Sequence, residues 1–163
     1  MEEIKLRKAG FEDVTLIGEL AELIWRQHYT AIIGEKQIDY MLRMMYSPDA
    51  LREQMEKKNH IFYLIEEKGK ALGFISVNEV SKGDWFLNKF YIDQSKAAKG
   101  IGTRTFAMIK EILNPNKITL TVNRGNYKTI NFYFKLGFII EKTAVFDIGN
   151  GYVMDDFVMT WKK

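Results

Sequence analysis

The stretch Lys96-Ala97-Ala98-Lys99-Gly100-Ile101-Gly102 constrains this chain more than any other. It stands between an apolar run, Phe86-Leu87-Asn88-Lys89-Phe90-Tyr91-Ile92, and a helix-patterned segment that starts at Thr103. The run reads as a strand, so the chain must pass through small residues and glycine from a strand into a helix start. The first amides of a helix have no partner within it, and the helix dipole adds about half a positive charge at that end. Such a turn is an anion site. A dinucleotide fingerprint needs a third glycine at position 105, which is Thr105 here, and no early βαβ unit precedes the loop. A phosphate loop closing on Gly-Lys-Ser/Thr is also missing. What remains is a loop whose main chain can cradle a pyrophosphate, or else a plain structural turn.

The 163 residues suit one domain, 1–163, with a core large enough to stand without staples. Apolar residues make up 47% and there are two prolines, which favours a compact chain over a disordered one. Cysteine is absent, which removes disulfides, Cys-ligated zinc and a thiol nucleophile, and no metal is expected. Met1-Glu2-Glu3-Ile4-Lys5 lacks the apolar core of a signal peptide and no run reaches membrane-spanning length, so the expected address is cytoplasmic, with no membrane partner. A net charge of +3 is too mild for a nucleic-acid partner. Lys96, Lys99, Arg104, Lys128 and Lys135 lie in or near the glycine loop and the segment from Asn126 to Phe138. That placement suits a ligand with several phosphates, although solvated lysines are the plainer reading of any one of them.

Along the chain, Ile4-Lys5-Leu6-Arg7 reads as a short strand, and Glu12 and Asp13 open a helix with Val14, Ile17, Ala21, Ile24 and His28 on one face. Gly34 interrupts it; a second helix covers Lys36 to Met45, and Ser47-Pro48 starts a third that runs to Lys57. Strands follow at Ile61–Glu66, Ala71–Val80 and Trp85–Ile92, then a helix marked by Ile101, Thr105, Met108 and Ile112. Asn114-Pro115-Asn116 ends that helix, Ile118–Val122 is a strand, and Asn126–Leu136 is a helix closed by Gly137. The last two strands, Phe138–Phe146 and Tyr152–Trp161, turn at Gly149-Asn150-Gly151. Early helices that join distant strands predict an α/β fold: a single mixed, mostly antiparallel sheet of six or seven strands with helices on both faces.

The segment Asn126-Tyr127-Lys128-Thr129-Ile130-Asn131-Phe132-Tyr133-Phe134-Lys135-Leu136-Gly137-Phe138 completes a pattern that resembles the GCN5-related N-acetyltransferase (GNAT) family. That family's pyrophosphate loop reads Gln/Arg-x-x-Gly-x-Gly/Ala after its fourth strand, in register with Ala97 to Gly102. Its later signature, Asn-x-x-Ala-x-x-Phe-Tyr-x-Lys-x-Gly-Phe, is met by Asn126, Phe132, Tyr133, Lys135, Gly137 and Phe138. The element order matches from end to end. The resemblance implies an acyl-CoA acyltransferase fold, acetyl-CoA as co-substrate, and a small-molecule or peptide amine as acceptor. It implies that Ala97, Ala98, Lys99, Gly100, Ile101, Gly102 and Thr103 form the pyrophosphate loop. Tyr91 and Ile92 would offer backbone groups to the pantetheine arm, with an amide near Ile92 at the oxyanion. Asn126 would hydrogen-bond the CoA, and Tyr133 would protonate the departing thiolate. Ala97 departs from the family's Gln/Arg, with Lys96 or Lys99 as a substitute, and Thr129 stands where alanine is usual. Neither change removes the backbone amides. Ile38-Asp39-Tyr40-Met41-Leu42, Tyr46-Ser47 and Asp155-Asp156-Phe157-Val158-Met159 are similar, in patches, to bacterial spermidine/spermine acetyltransferases. Relatives are often dimers, which puts a homodimer among the expected assemblies.

The chemistry of Tyr133 also stands without the family. A phenol of ordinary pKa about 10 keeps its proton at neutral pH and can pass it to a nascent thiolate. The acceptor is harder to place, because an alkylammonium is only about 0.04% neutral at pH 7. The stretch Phe86-Leu87-Asn88-Lys89, where many relatives carry a glutamate, has no carboxylate. Glu79 on the preceding strand is the expected base, acting through water, with Asp84 second and His28 a further candidate among apolar neighbours; His60 reads as a surface residue. Tyr40, Met41, Met44, Met45 and Tyr46 form a bulky stripe that suits either an acceptor wall or ordinary packing. Two other readings stay open on the residues alone: a non-catalytic acyl-CoA-binding module, and a nucleotide-binding protein using the same loop.

Overall fold

The computed structural model describes residues 3–96 and 100–163. The first strand, β1 (Ile4–Lys8), is followed by a 3-10 turn at Phe11–Asp13 and by three helices, α1 (Val14–Ile33), α2 (Glu35–Tyr46) and α3 (Pro48–Glu56). The start of α3 is set locally: Ser47 Oγ accepts from the Ala50 amide at 3.2 Å while Pro48 occupies the first turn. Strands β2 (Ile61–Glu67), β3 (Lys70–Ser81) and β4 (Asp84–Ile92) then form an antiparallel meander. The remaining elements are α4 (Ile101–Leu113), β5 (Lys117–Asn123), α5 (Tyr127–Lys135), β6 (Ile139–Gly149) and β7 (Tyr152–Lys162).

All seven strands lie in one sheet of order β1-β2-β3-β4-β5-β7-β6, in which β4 and β5 are parallel and every other neighbouring pair is antiparallel. The mixed sheet expected from the element order is thus present with seven strands. Helices cover both faces. On one, Ile17, Ile24, Trp25, Met41 and Leu51 of α1–α3 bury Phe62, Leu64 and Phe74 of the central strands. On the other, Phe106 and Ile109 of α4 and Ile130 and Tyr133 of α5 pack on Ile75, Val77, Leu120 and Met159. The tyrosine–methionine stripe of α2 divides between these roles: Met41 and Tyr46 are core, whereas Met44 is exposed. Each fully buried side chain of Leu, Ile or Phe size contributes about 1.5–3 kcal/mol, so the two apolar layers hold the sheet between them.

A strand end and a side-chain exposure differ from what the sequence predicts. β6 runs on to Gly149 because it pairs with β7 as far as Gly149↔Tyr152, leaving a tighter turn at Asn150 and Gly151. His60 is half-buried rather than on the surface, and burial, with Lys89 and Lys58 adding, lowers its pKa to about 4. No helix among the described residues is long and apolar enough to cross a membrane.

Candidate active site

The site originates in a fault of the sheet. β4 and β5 pair from Asp84↔Lys117 to Leu87↔Leu120 and no further. At that point the β3–β4 register shifts from Val77↔Leu87 to Ser76↔Lys89, leaving Asn88 as an extra residue whose Nδ2 donates to Asn78 Oδ1 at 2.8 Å. A bulge of this kind bends its strand. Beyond it, β4 stays bonded to β3 on one side through Phe90, Tyr91 and Ile92 while its other edge leaves β5. A cavity of about 490 Å³ fills the gap, lined by 87–92 of β4, 120–122 of β5, the first turn of α4, Phe132 and Tyr133 of α5, and His28 and Tyr29 of α1. Alternate residues of 88–92 turn N–H and C=O groups into it, an open strand edge that an extended, amide-bearing chain can join. The pantetheine arm of CoA is such a chain, and the residues present fit it.

One end of the cavity has the backbone form that an anion site needs. Gly100 has φ +89 and caps α4 without a side chain, and the first intrahelical bond of α4 runs from the Arg104 amide to the Gly100 carbonyl. The amides of Ile101, Gly102 and Thr103 are therefore left for a ligand. Gly102 lies against Phe132, where an added Cβ would stand 3.0 Å from Cζ. Ala97, Ala98 and Lys99 lie outside the described residues. Lys128 also lines the cavity, with its Nζ 3.4 Å from Gln94 Oε1. Lys96, one expected substitute for the missing Gln/Arg, stands 4.0 Å from Asp93.

Asp93, which sequence reasoning passed over, braces this end. Its Oδ1 accepts from Gln27 Nε2 at 3.1 Å and from the Ser95 amide and hydroxyl at 3.0 and 2.7 Å. Burial works against its charge, but the bonds from Gln27 and Ser95 hold the carboxyl below its ordinary value. The run Asp93-Gln94-Ser95 directly after a strand is a turn signal that could have marked it.

Tyr133 projects from the buried face of α5 between Phe132 and Phe138, with ring centroids 5.4 and 5.3 Å away, and lines the cavity while only 6% exposed. Burial, with Tyr29 adding, pushes its phenol above the ordinary value, so it is protonated throughout the neutral range. Asn126 is buried at the start of α5, where its Oδ1 accepts from the Thr129 amide at 3.4 Å, and it too lines the cavity. The hydroxyls of Tyr29 and Tyr91 are 3.3 Å apart. Tyr91 thus gives its main chain to the sheet and its ring to the α1 side, among Trp25, Tyr29 and Phe74.

The expected base is elsewhere. Glu79 is exposed near the β3–β4 hairpin and its carboxylate accepts from the Gly83 amide at 2.9 Å, closing the turn; neither it nor Asp84, which accepts from Ser81 Oγ, lines the cavity. The hairpin is at the zipped end of β4, and the bulge that opens the site lies beyond it. His28 does reach the cavity, half-buried, with Nε2 lacking a partner among the described residues, and burial followed by Lys128 lowers its pKa. Two further titratable groups were not foreseen. Lys89 is buried beneath α3, donating to Gln54 Oε1 at 2.8 Å and lying over the Tyr46 and Phe62 rings. Asp156 of β7 is 1% exposed. A lone charge inside the apolar run 86–92 was the only hint of the first; the second shares the interior-facing parity of Val158 and Thr160.

An acyl-CoA-dependent acyltransferase has use for the open edge of β4 beside the start of α4, with the Tyr133 phenol on the wall of the same cavity. The chain belongs to the acetyltransferase (GNAT) domain family, which matches residues 30–150. It is 25% identical over 159 residues to the spermidine N(1)-acetyltransferase of Thermoplasma acidophilum, a match covering 93% of this chain and 96% of that one. The crystal structure of the PaiA N-acetyltransferase of Thermoplasma acidophilum in complex with coenzyme A superimposes with a TM-score of 0.82 at 24% identity, over 99% of each chain. A GCN5-related N-acetyltransferase of Rhodopseudomonas palustris gives 0.83 at 16% identity, over 100% of this chain and 98% of that one. The activity is acetyl-CoA-dependent N-acetyl transfer, and the reading as a non-catalytic module falls away.

Proposed function

We propose that this protein acetylates small primary amines, polyamines among them, by direct transfer, with Tyr133 as proton donor to the leaving thiolate. The observation that carries this reading is the placing of the buried Tyr133 phenol on the wall of the opened β4–β5 gap. The spermidine acetyltransferase named above supports the polyamine class.

In this mechanism the main chain of Asn88 to Ile92 binds and aligns the pantetheine arm, and a backbone amide near Ile92 meets the oxyanion. The amides of Ile101, Gly102 and Thr103 hold the phosphates, and Lys128 adds charge. Bound here, acetyl-CoA supplies an activated acyl carbon. The amine lone pair attacks that carbon directly, since the chain has no cysteine to carry the acyl group. Tyr133 then gives its proton to sulfur. The burial that raises the phenol desolvates the thiolate as well, so the transfer depends on the difference between two buried anions and stays accessible.

A panel of spermidine, spermine, short diamines, amino acids and peptide N-termini, followed by thiol release and product mass, tests the reading. Acetylation of a small amine is expected, with Tyr133→Phe lowering kcat about a hundredfold and leaving CoA affinity unchanged. Failure of every amine, or full kcat in the variant, overturns it.

A further inference from the structure

Direct transfer needs a neutral amine, and Glu79 is turned to its own hairpin. Some other group must take the ammonium proton. β7 carries two adjacent carboxylates with opposite surroundings. Asp155 is exposed and meets Arg124 Nη1 at 3.4 Å. Asp156 points to the other side, is 1% exposed, and has a buried Oδ1 without a hydrogen-bond partner among the described residues. Among the described residues no cation pairs with it. An ionised carboxylate in that position is costly unless a counter-charge arrives.

The incoming counter-charge has a route. Thr121 of β5 lines the cavity, as does Tyr29 of α1, and the pairing Thr121↔Val158 and Asn123↔Asp156 sets Thr121 and Asp156 diagonally on one face of the sheet. The carboxylate therefore stands one side chain behind the cavity wall, on the sheet face that α1 covers. Its other neighbours across the sheet are Asn123 on β5 and Ala144 on β6, neither of them charged.

We infer that Asp156 is the positioning residue for the acceptor: across Thr121 and Tyr29 it draws the cationic amine toward the acyl carbon and receives the ammonium proton through bridging water. This rests on the acetyl-transfer reading above. The balance is simple. An ammonium N–H bond breaks and its proton goes to Asp156 Oδ1. The freed lone pair forms the N–C bond as the C–S bond breaks and Tyr133 protonates the sulfur; the second proton lost from nitrogen returns through water to the Tyr133 phenolate and restores it. Asp156 then releases its proton to solvent, one per turnover. Burial, with Asp155 adding and Thr121 opposing, raises the carboxyl to about 6, which leaves it ionised at neutral pH and ready to accept.

Three full-length variants test this with butylamine or spermidine as acceptor. Asp156→Asn is expected to lose about a hundredfold in kcat/KM for the amine with unchanged CoA affinity. The wild-type profile should be level from about pH 7 to pH 9, whereas that of Asp156→Asn should rise about tenfold per pH unit, because it draws only on amine already neutral in solution. Asp156→Glu should restore the level profile in part. Thr121→Val, which takes away the hydroxyl that opposes the raised carboxyl, should move the acid limb of kcat/KM upward from about 6. An Asp156→Asn enzyme with wild-type rate and a level profile overturns the role of Asp156 alone. A wild-type protein that acetylates no amine overturns the proposed function and this role with it. Should Asp156→Asn fail to fold, an acid limb unmoved in Thr121→Val overturns the inference.

Discussion

Toward α4 the cavity presents main chain: the free edge of 88–92 and the first amides of a helix capped by Gly100. Toward α1 and β7 it presents side chains, Tyr29 and Thr121 with Asp156 behind them, each brought in by a different element. The first wall needs only a conformation, so it survives Ala97 in place of the family's Gln/Arg and Thr129 in place of alanine. The second wall needs particular residues that tertiary packing must assemble.

Three substitutions put that contrast to the test. The largest effect is expected from Gly102→Val, which drives a branched side chain into Phe132 and shifts the first turn of α4 against β4. Overpacking of this kind costs about 1–3 kcal/mol, so calorimetry should show CoA binding weakened about tenfold; unaltered affinity would mean that the helix start does not hold the phosphates. Next comes Lys89→Met, on the side-chain wall's face of β4. Burial, with Lys58 adding, lowers the Lys89 pKa to about 7, below its unfolded value. The fold therefore bears the cost of the charge below about pH 7 and is relieved of it as pH climbs toward the ordinary lysine value. Removing the charge should raise Tm at pH 6 by about 2–4 °C, even with Gln54 losing a donor, and the gain should vanish by about pH 9. A lower Tm at pH 6 would mean that this wall supports its charge fully. The smallest effect belongs to Glu79→Gln, which keeps an acceptor for the Gly83 amide; kcat/KM should stay within about twofold and stability within about 0.5 kcal/mol. A large loss of amine turnover there would extend the acceptor wall to the hairpin and restore Glu79 as base.

The legible parts of the site were the local ones. Strand, small-residue turn and helix start follow from spacing and from the glycine at 100, and Tyr133 from its place in the motif between Phe132 and Lys135. That Glu79 is set off the cavity was not legible, because a glutamate near the right strand says nothing about what its carboxylate already holds. Asp156 and Lys89 were missed for a related reason. Alternation assigns a residue to one face of a strand, yet a face can be open to water in one half of a sheet and roofed by a helix in the other.

From the sequence alone came the order of strands and helices, the positions that break them and the backbone anion site, because each depends on dihedral preference and hydrogen bonds between residues close in the chain. Where β4 parts from β5, which carboxylate is buried with no cation among the described residues and which lysine is stripped of water all depend on how the elements pack. Those properties are set by desolvation and by charges that neighbours distant in sequence bring near, and no local pattern encodes them.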